Sequence, residues 1–153
     1  MAKKDKRVIQ KEFSANAKRP EIAVNPNAYL SKHPVWSFHR CDTEYEKWSI
    51  KNTESFCDDI LDKLISYEGL TWAEIQAASV GKRKGNGTNN HFEYISEMIK
   101  EAQKRAETLH LDVDQLFSLR LSGEVRLYGI LDDGIFYALW LDQKHEIYPP
   151  SKR

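Results

Sequence analysis

LFSLRL at residues 116–121, VRLYGIL at 125–131 and IFYALWL at 135–141 are the stretches that decide the fold. Each is rich in aliphatic, β-branched and aromatic residues. SGE and DDG separate them, and both are hairpin signals, so the three runs read as an antiparallel meander. With three-residue loops at both turns, Leu121 opposes Val125, Leu119 opposes Leu127 and Leu131 opposes Ile135. One face then collects Phe117, Leu119, Leu121, Val125, Leu127, Tyr137, Leu139 and Leu141, and must pack on helices. The other face holds Ser118, Arg120, Arg126, Tyr128, Phe136 and Trp140, with Arg120 across from Arg126 and Arg126 across from Trp140. A two-residue loop would shift the register by one and put Arg126 among leucines. That costs the desolvation of a guanidinium, so the apolar pattern favours the register that exposes both arginines together.

Helices precede this sheet. Phe56, Ile60, Leu61, Leu64 and Ile65 form one apolar stripe, which predicts a helix from about Thr53 ended by Gly69. Thr71-Trp72-Ala73-Glu74 reads as a capping box that opens a short second helix to about Ala78. A longer helix is expected from about His91 to Leu109. Ile95, Met98, Ile99, Ala102 and Ala106 lie on its inner stripe, Lys100, Glu101, Lys104 and Glu107 on its outer face, and Glu97 and Glu101 pair with Lys104 and Arg105. Trp36 and Phe38 alternate about Ser37 and suit a short strand, and the aromatics of residues 33–50 are expected to pack on a core. The fold class is therefore α+β: N-terminal helices packed on a C-terminal three- to four-stranded antiparallel sheet.

The chain has 153 residues, enough for one domain. We divide it into a basic tail (1–30) and a single domain (31–153). Lys3, Lys4, Lys6, Arg7, Lys11, Lys18 and Arg19 outnumber the acids of that tail. It reads either as a solvated segment or as an arm that touches phosphates. Across the whole chain 23 Lys and Arg balance 23 Asp and Glu, so any nucleic-acid surface must be local. The N-terminus lacks the apolar core of a secretory signal, no run is long enough to span a bilayer, and Cys41 and Cys57 have no CxxC spacing. These features point to a reducing cytoplasm.

GKRKGNGTNN at residues 81–90 is a loop by composition. It lacks the GxxxxGK[ST] pattern and follows no strand, so it is not a P-loop. Lys82, Arg83 and Lys84 are the densest cations within the domain, either a solvated turn or an RNA contact. His33, His39, His91, His110 and His145 are scattered without HxH or HExxH spacing, which gives no metal site. The end of the chain concentrates chemistry instead. His145 and Tyr148 follow the last strand, close to Arg120, Arg126 and Glu124. A histidine near its neutral pKa, a phenol and neighbouring guanidiniums are the parts for cleaving a phosphodiester without a metal. His145 would be acid or base, Arg126 or Arg120 the charge stabiliser, Tyr148 an orienting group and Glu124 an auxiliary base, with Trp140 and Tyr128 as flat neighbours for bases.

The segment LRLSGEVRLYGILDDGIFYALWLDQKHEIYP resembles the C-terminal half of the RelE/YoeB-like toxins. Glu124-Val125-Arg126-Leu127-Tyr128 stands where that family carries an E-x-R-L-x-Y stretch, followed by a short turn, an apolar strand and a His/Tyr-bearing end. The segment is also similar to uncharacterised small bacterial proteins ending in LWxDxxHxxYP. The toxin resemblance covers about residues 91–148. It implies a RelE-like fold and a metal-independent endoribonuclease acting on mRNA, ribosome-associated or free, without a cofactor and neutralised by an antitoxin protein. It implies Arg126 at the transition-state phosphate and His145 and Tyr148 as acid and orienting groups. Two other readings stand beside it: a non-enzymatic protein-binding module, such as a phage or toxin–antitoxin accessory protein, and a toxin of the same fold that inhibits a topoisomerase.

Overall fold

The computed structural model describes residues 24–78 and 89–149. Its centre is a five-stranded sheet of order β1-β5-β4-β3-β2. The strands are β1 (Val35–Ser37), β2 (His91–Tyr94), β3 (Gln115–Ser122), β4 (Val125–Asp132) and β5 (Ile135–Asp142). The meander of β3, β4 and β5 forms where the three apolar runs predict it. Two strands extend it: β2 pairs antiparallel with β3, and β1 pairs parallel with β5. The sheet is thus mixed and five-stranded, not a purely antiparallel one of three or four.

Both hairpin loops are tighter than the sequence suggested. Ser122 pairs with Val125 and Asp132 with Ile135, leaving two-residue loops. Asp133 (φ 47°) and Gly134 (φ 89°) both adopt the left-handed backbone that such a turn requires. Each tight loop is offset by a bulge. Leu121 is the extra residue on β3, so Arg120 still opposes Arg126. Leu139 is the extra residue on β5, so Tyr128 opposes Trp140 and Arg126 opposes Asp142 rather than Trp140. Between loop and bulge the face assignment of β5 is inverted: Phe136 and Ala138 join the first core, and Tyr137 and Leu139 the second.

The sheet is covered on both sides. On the first face Phe117, Leu119, Leu127, Phe136 and Leu141 pack against Ile60, Leu64 and Tyr67, and against Trp72 and Ile75. The helices there are a π-helical stretch (Phe56–Leu61) running into α1 (Asp62–Glu68), then α2 (Trp72–Ala77). The capping box at Thr71 and Glu74 is formed. Tyr29 and Leu30 pack on the same core. Residues 1–23 of the basic tail lie outside the described residues.

On the second face Leu116, Tyr128, Ile130, Leu139 and Trp140 pack against Trp48, Met98, Ala102, Ala106 and Ile147. Here the sequence misleads in two ways. The expected helix over 91–109 is only α3 (Lys100–Thr108), because His91–Tyr94 is a strand and Ile95–Glu97 a 3-10 turn. In addition, this face is not solvent-exposed but forms a second core. Glu101 and Arg105 of α3 make tertiary contacts in place of the expected i,i+4 ion pairs. Glu101 accepts from Lys47 Nζ at 2.7 Å and from the Tyr45 hydroxyl, while Arg105 binds Asp42 in a bidentate pair with both contacts at 2.7 Å. Among the described residues no helix is long and apolar enough to cross a membrane.

Candidate functional site

The second face is apolar along most of its length and polar at one end. Its polar end is the end of β3 and the start of β4, joined by the Gly123-Glu124 turn. There Arg120 and Arg126 are cross-strand partners, which puts their side chains on one face about 5 Å apart at Cβ. Arg120 Nη1 donates to Asn89 Oδ1 at 3.2 Å, and Arg126 Nη1 donates to the carbonyls of Gly123 and Val125 at 2.8 and 3.1 Å. Neither guanidinium forms an ion pair with a carboxylate among the described residues. The pairing of an arginine with Glu124 is therefore not formed. Partial burial and the neighbouring Arg120 both lower the pKa of Arg126. Two adjacent cations held by neutral acceptors form a preformed site for an anion.

The Arg120 strand is fixed from beneath. Asn90 Oδ1 accepts from Arg120 N at 2.8 Å, Asn90 Nδ2 donates to the Ile75 carbonyl at 2.9 Å, and the Tyr67 hydroxyl donates to the Arg120 carbonyl at 2.6 Å. Asn90 is the last residue of the Gly/Asn-rich segment, and it is buried. It therefore ties that segment to β3.

His145 reaches the arginines through the turn that follows β5. Asp142, opposite Arg126 and fully buried, accepts three backbone N–H groups: Lys144 and Glu146 on Oδ1 at 3.2 and 3.1 Å, and Ile147 on Oδ2 at 2.8 Å. These bonds wind the chain back over the second face, with His145 at φ 54°. Histidine tolerates this left-handed backbone better than β-branched residues do. The ring is half-buried. Its pKa is lowered, first by burial and then by Arg126, against smaller opposing effects of Asp142, Glu124 and Glu93. His145 is therefore mostly a neutral imidazole at pH 7.

Strand β2 supplies the far side. His91 and Glu93 are two residues apart and so share a face, where His91 pairs with Ser118 in register. His91 Nε2 lies 2.5 Å from Glu93 Oε1, with the Glu93 side chain 10% exposed and that of His91 45% exposed. The Tyr148 hydroxyl donates to Glu97 at 3.2 Å, and its pKa is raised, with Glu93 the largest influence. The Tyr128 hydroxyl is buried, and burial is the main cause that raises its pKa, against an opposing interaction with Ser118.

Of the residues singled out in the sequence, Arg120 and Arg126 are cross-strand neighbours, and Arg126 and Glu124 act on His145 through their charge. Tyr148 lies beyond them, toward Glu93 and Glu97. Tyr128 and Trp140 have no exposed surface and offer no stacking platform, because the face they occupy is covered by α3, Trp48 and Ile147. Trp140 instead donates to Asp42 Oδ2 at 3.0 Å. Lys82, Arg83 and Lys84 lie outside the described residues.

Sequence reasoning missed His91, Glu93, Asn90 and Asp142. A strand reading of HFEY would have placed His91 and Glu93 on one face. The remaining two, Asn90 and Asp142, had no sequence signal beyond a polar residue beside an apolar run. Among the described residues no group of His, Cys, Asp and Glu side chains is placed to hold a metal ion. A groove of about 600 Å³ opens at the opposite end of the sheet beside Ile95, His110 and Asp114, away from the arginines. No family model, no curated protein and no solved structure matches this chain.

Proposed function

We propose that the chain is a RelE-like toxin, a metal-independent endoribonuclease that binds RNA across the arginine end of the sheet. One observation carries this reading. Arg120 and Arg126, without carboxylate partners among the described residues, stand beside a histidine that is neutral at pH 7. A phosphate would give the two guanidiniums the direct anionic partner that no carboxylate provides among the described residues. His145 takes the proton of the ribose 2′-OH, and the guanidiniums neutralise the dianionic phosphorane that forms. Tyr148 sits where it could contact the nucleotide beyond the phosphate, and Glu124 sets the local potential of His145. The RNA substrate on the ribosome and the antitoxin partner belong to the same proposal and come from the resemblance of residues 91–148.

The test is induction of the chain in a bacterial host beside His145→Ala and Arg126→Ala, with growth and mRNA followed over time. The nuclease reading predicts arrest and mRNA loss with the parent alone. Arrest that survives both substitutions would overturn it.

A second reading, a protein-binding module, is favoured by a different observation. Val35, Phe38, Leu61 and Ile65 are exposed, and Phe38 touches Phe56 with ring centroids 6.4 Å apart. Such side chains on one side of a domain suit a protein partner. Retention of arrest in both site variants, with loss in a Phe38→Ser, Ile65→Ser double variant, would favour that module.

A further inference from the structure

We infer that the outer flank of the helix formed by the π-helical stretch and α1 docks an amphipathic helix of a partner protein, one whose apolar stripe is bordered by lysine or arginine. The inference rests on the binding-module reading above and names the partner that its exposed side chains take. It uses no residue of the arginine end of the sheet, so it does not depend on the nuclease reading.

The π-helical stretch runs into α1 without a break, since the Asp62 N–H donates to the Cys57 carbonyl, five residues back. The apolar stripe of this helix is wider than the sheet covers. Ile60 and Leu64 are buried in the first core, but Leu61 and Ile65, each one position further round, are 40% and 55% exposed. Four residues apart, they form one ridge along the helix. Exposed Phe38 extends the apolar surface through its ring contact with Phe56. Carboxylates edge the ridge. Asp58 stands three residues before Leu61, Asp62 three before Ile65 and Glu68 three after it, and all three are exposed. None forms an ion pair among the described residues. These charges work against the helix that carries them. Asp58 and Asp62 repel at i,i+4 spacing. Glu68 lies in the last turn of α1, where the helix dipole disfavours an anion, and no basic residue offsets it there. Lys63, the only cation between residues 56 and 68, lies over the Tyr67 ring at 4.9 Å instead.

This pattern selects the occupant. A ridge of side chains at four-residue spacing packs into the groove of another helix. The flanking carboxylates call for cations beside that helix's apolar stripe, as charges flank the seam of a coiled coil. A second copy of this chain does not meet the requirement, because a two-fold contact through this flank sets Asp58, Asp62 and Glu68 against the same three acids. A phosphate-bearing ligand meets the same repulsion.

The experiment measures binding of the purified full chain to a synthetic helical peptide of about 20 residues, with leucine at a and d and lysine at e and g. A sister peptide carries glutamate at e and g. The chain should take the lysine peptide about tenfold more tightly than the glutamate one. Leu61→Ser with Ile65→Ser should weaken that binding about tenfold or more. Asp58→Asn with Asp62→Asn should weaken it about three- to tenfold. Cys57 reports the place of binding. It is exposed and stands four residues before Leu61, while burial pushes the Cys41 thiol up to about 11, so near neutral pH a thiol reagent reads Cys57. The lysine peptide should slow that reaction. Equal affinity for the two peptides, no binding of the lysine peptide, or unchanged binding by a Leu61→Ser, Ile65→Ser protein that melts like the parent would overturn the inference. Self-association of the parent that this variant abolishes would also overturn it and give the flank to a second copy. If the peptide fails to bind while Phe38→Ser, Ile65→Ser still abolishes growth arrest, the binding-module reading stands and only the basic helical partner is lost.

Discussion

Asp142 and Asp42 show what single carboxylates do in this protein. Asp142 gathers three backbone N–H groups and thereby sets the path of His145. Asp42 binds Arg105, the Trp140 indole and the Tyr45 N–H while its side chain is 1% exposed. Burial alone would raise its pKa, but the hydrogen bonds from Arg105, Trp140 and the Tyr45 backbone outweigh burial and lower it. A depressed folded-state pKa adds stability that is fully present above the unfolded value of about 3.9. That stability is lost as pH falls through the folded value. Asp42→Ala should therefore lower stability at pH 7 by about 3 kcal/mol, since it strands a largely buried guanidinium. A denaturant titration of parent and variant at pH 7 and pH 3 should show the gap narrowing at the lower pH. His145 gives a second pH signature. On the nuclease reading proposed above, its lowered pKa should place the acid limb of kcat/KM for RNA cleavage below the ordinary histidine value of about 6.5. Arg126→Gln removes one cause of that lowering, so the limb should move up in pH while the rate falls roughly 10²- to 10³-fold. A pH–rate profile of both proteins checks the two effects together.

At the scale of elements, the two bulges decide where side chains point. Gly129 sits at the start of the β4–β5 bulge, where an added Cβ would overlap the Tyr137 carbonyl and come within 2.6 Å of the Phe136 ring. Gly129→Ala should destabilise the fold by about 1–3 kcal/mol through overpacking, measured as a drop in thermal midpoint. Gly129 stands in the middle of an apolar run, and nothing in that run announces a close approach. The same limit explains what the sequence conveyed of the sheet. Strong apolar runs and turn residues made β3, β4 and β5 legible almost to the residue, and the capping box made the start of α2 legible. The β3–β4 register was legible beyond the first bulge, because a two-residue turn plus one extra residue on β3 reproduces the expected pairing of Arg120 with Arg126, whereas on β5 the extra residue moves the partner of Arg126 from Trp140 to Asp142. Strand β2 was hidden because HFEY precedes a helical stripe that begins at Ile95. The Arg120–Arg126 pair, which needs only local register, could be read from sequence. The contribution of β2 to the site could not, since it depends on a long-range pairing across residues 94 to 115.

At the scale of the whole molecule, the sheet is a central layer between two dissimilar cores. The first is closed by α1 and α2, and the second by α3, Trp48 and the returning C-terminal segment. Ile147 has no exposed surface and anchors that return. Ile147→Ala should cost about 2–5 kcal/mol, seen as a lower denaturant midpoint. It should also weaken cleavage under conditions where the protein stays folded, because His145 shares the anchored segment. The topology has a consequence for how the protein comes into being. Val35 pairs with Ile135 across 100 positions of the chain, and the turn bearing His145 follows the last strand. Synthesis runs from the N-terminus, so β1 and most of the first-face helices emerge long before the partner that closes the sheet. A nascent chain carries its arginines without the turn that completes the site. On the nuclease reading, the site would stay unassembled until translation has passed β5, which would spare the ribosome that makes the chain and the message it is made from.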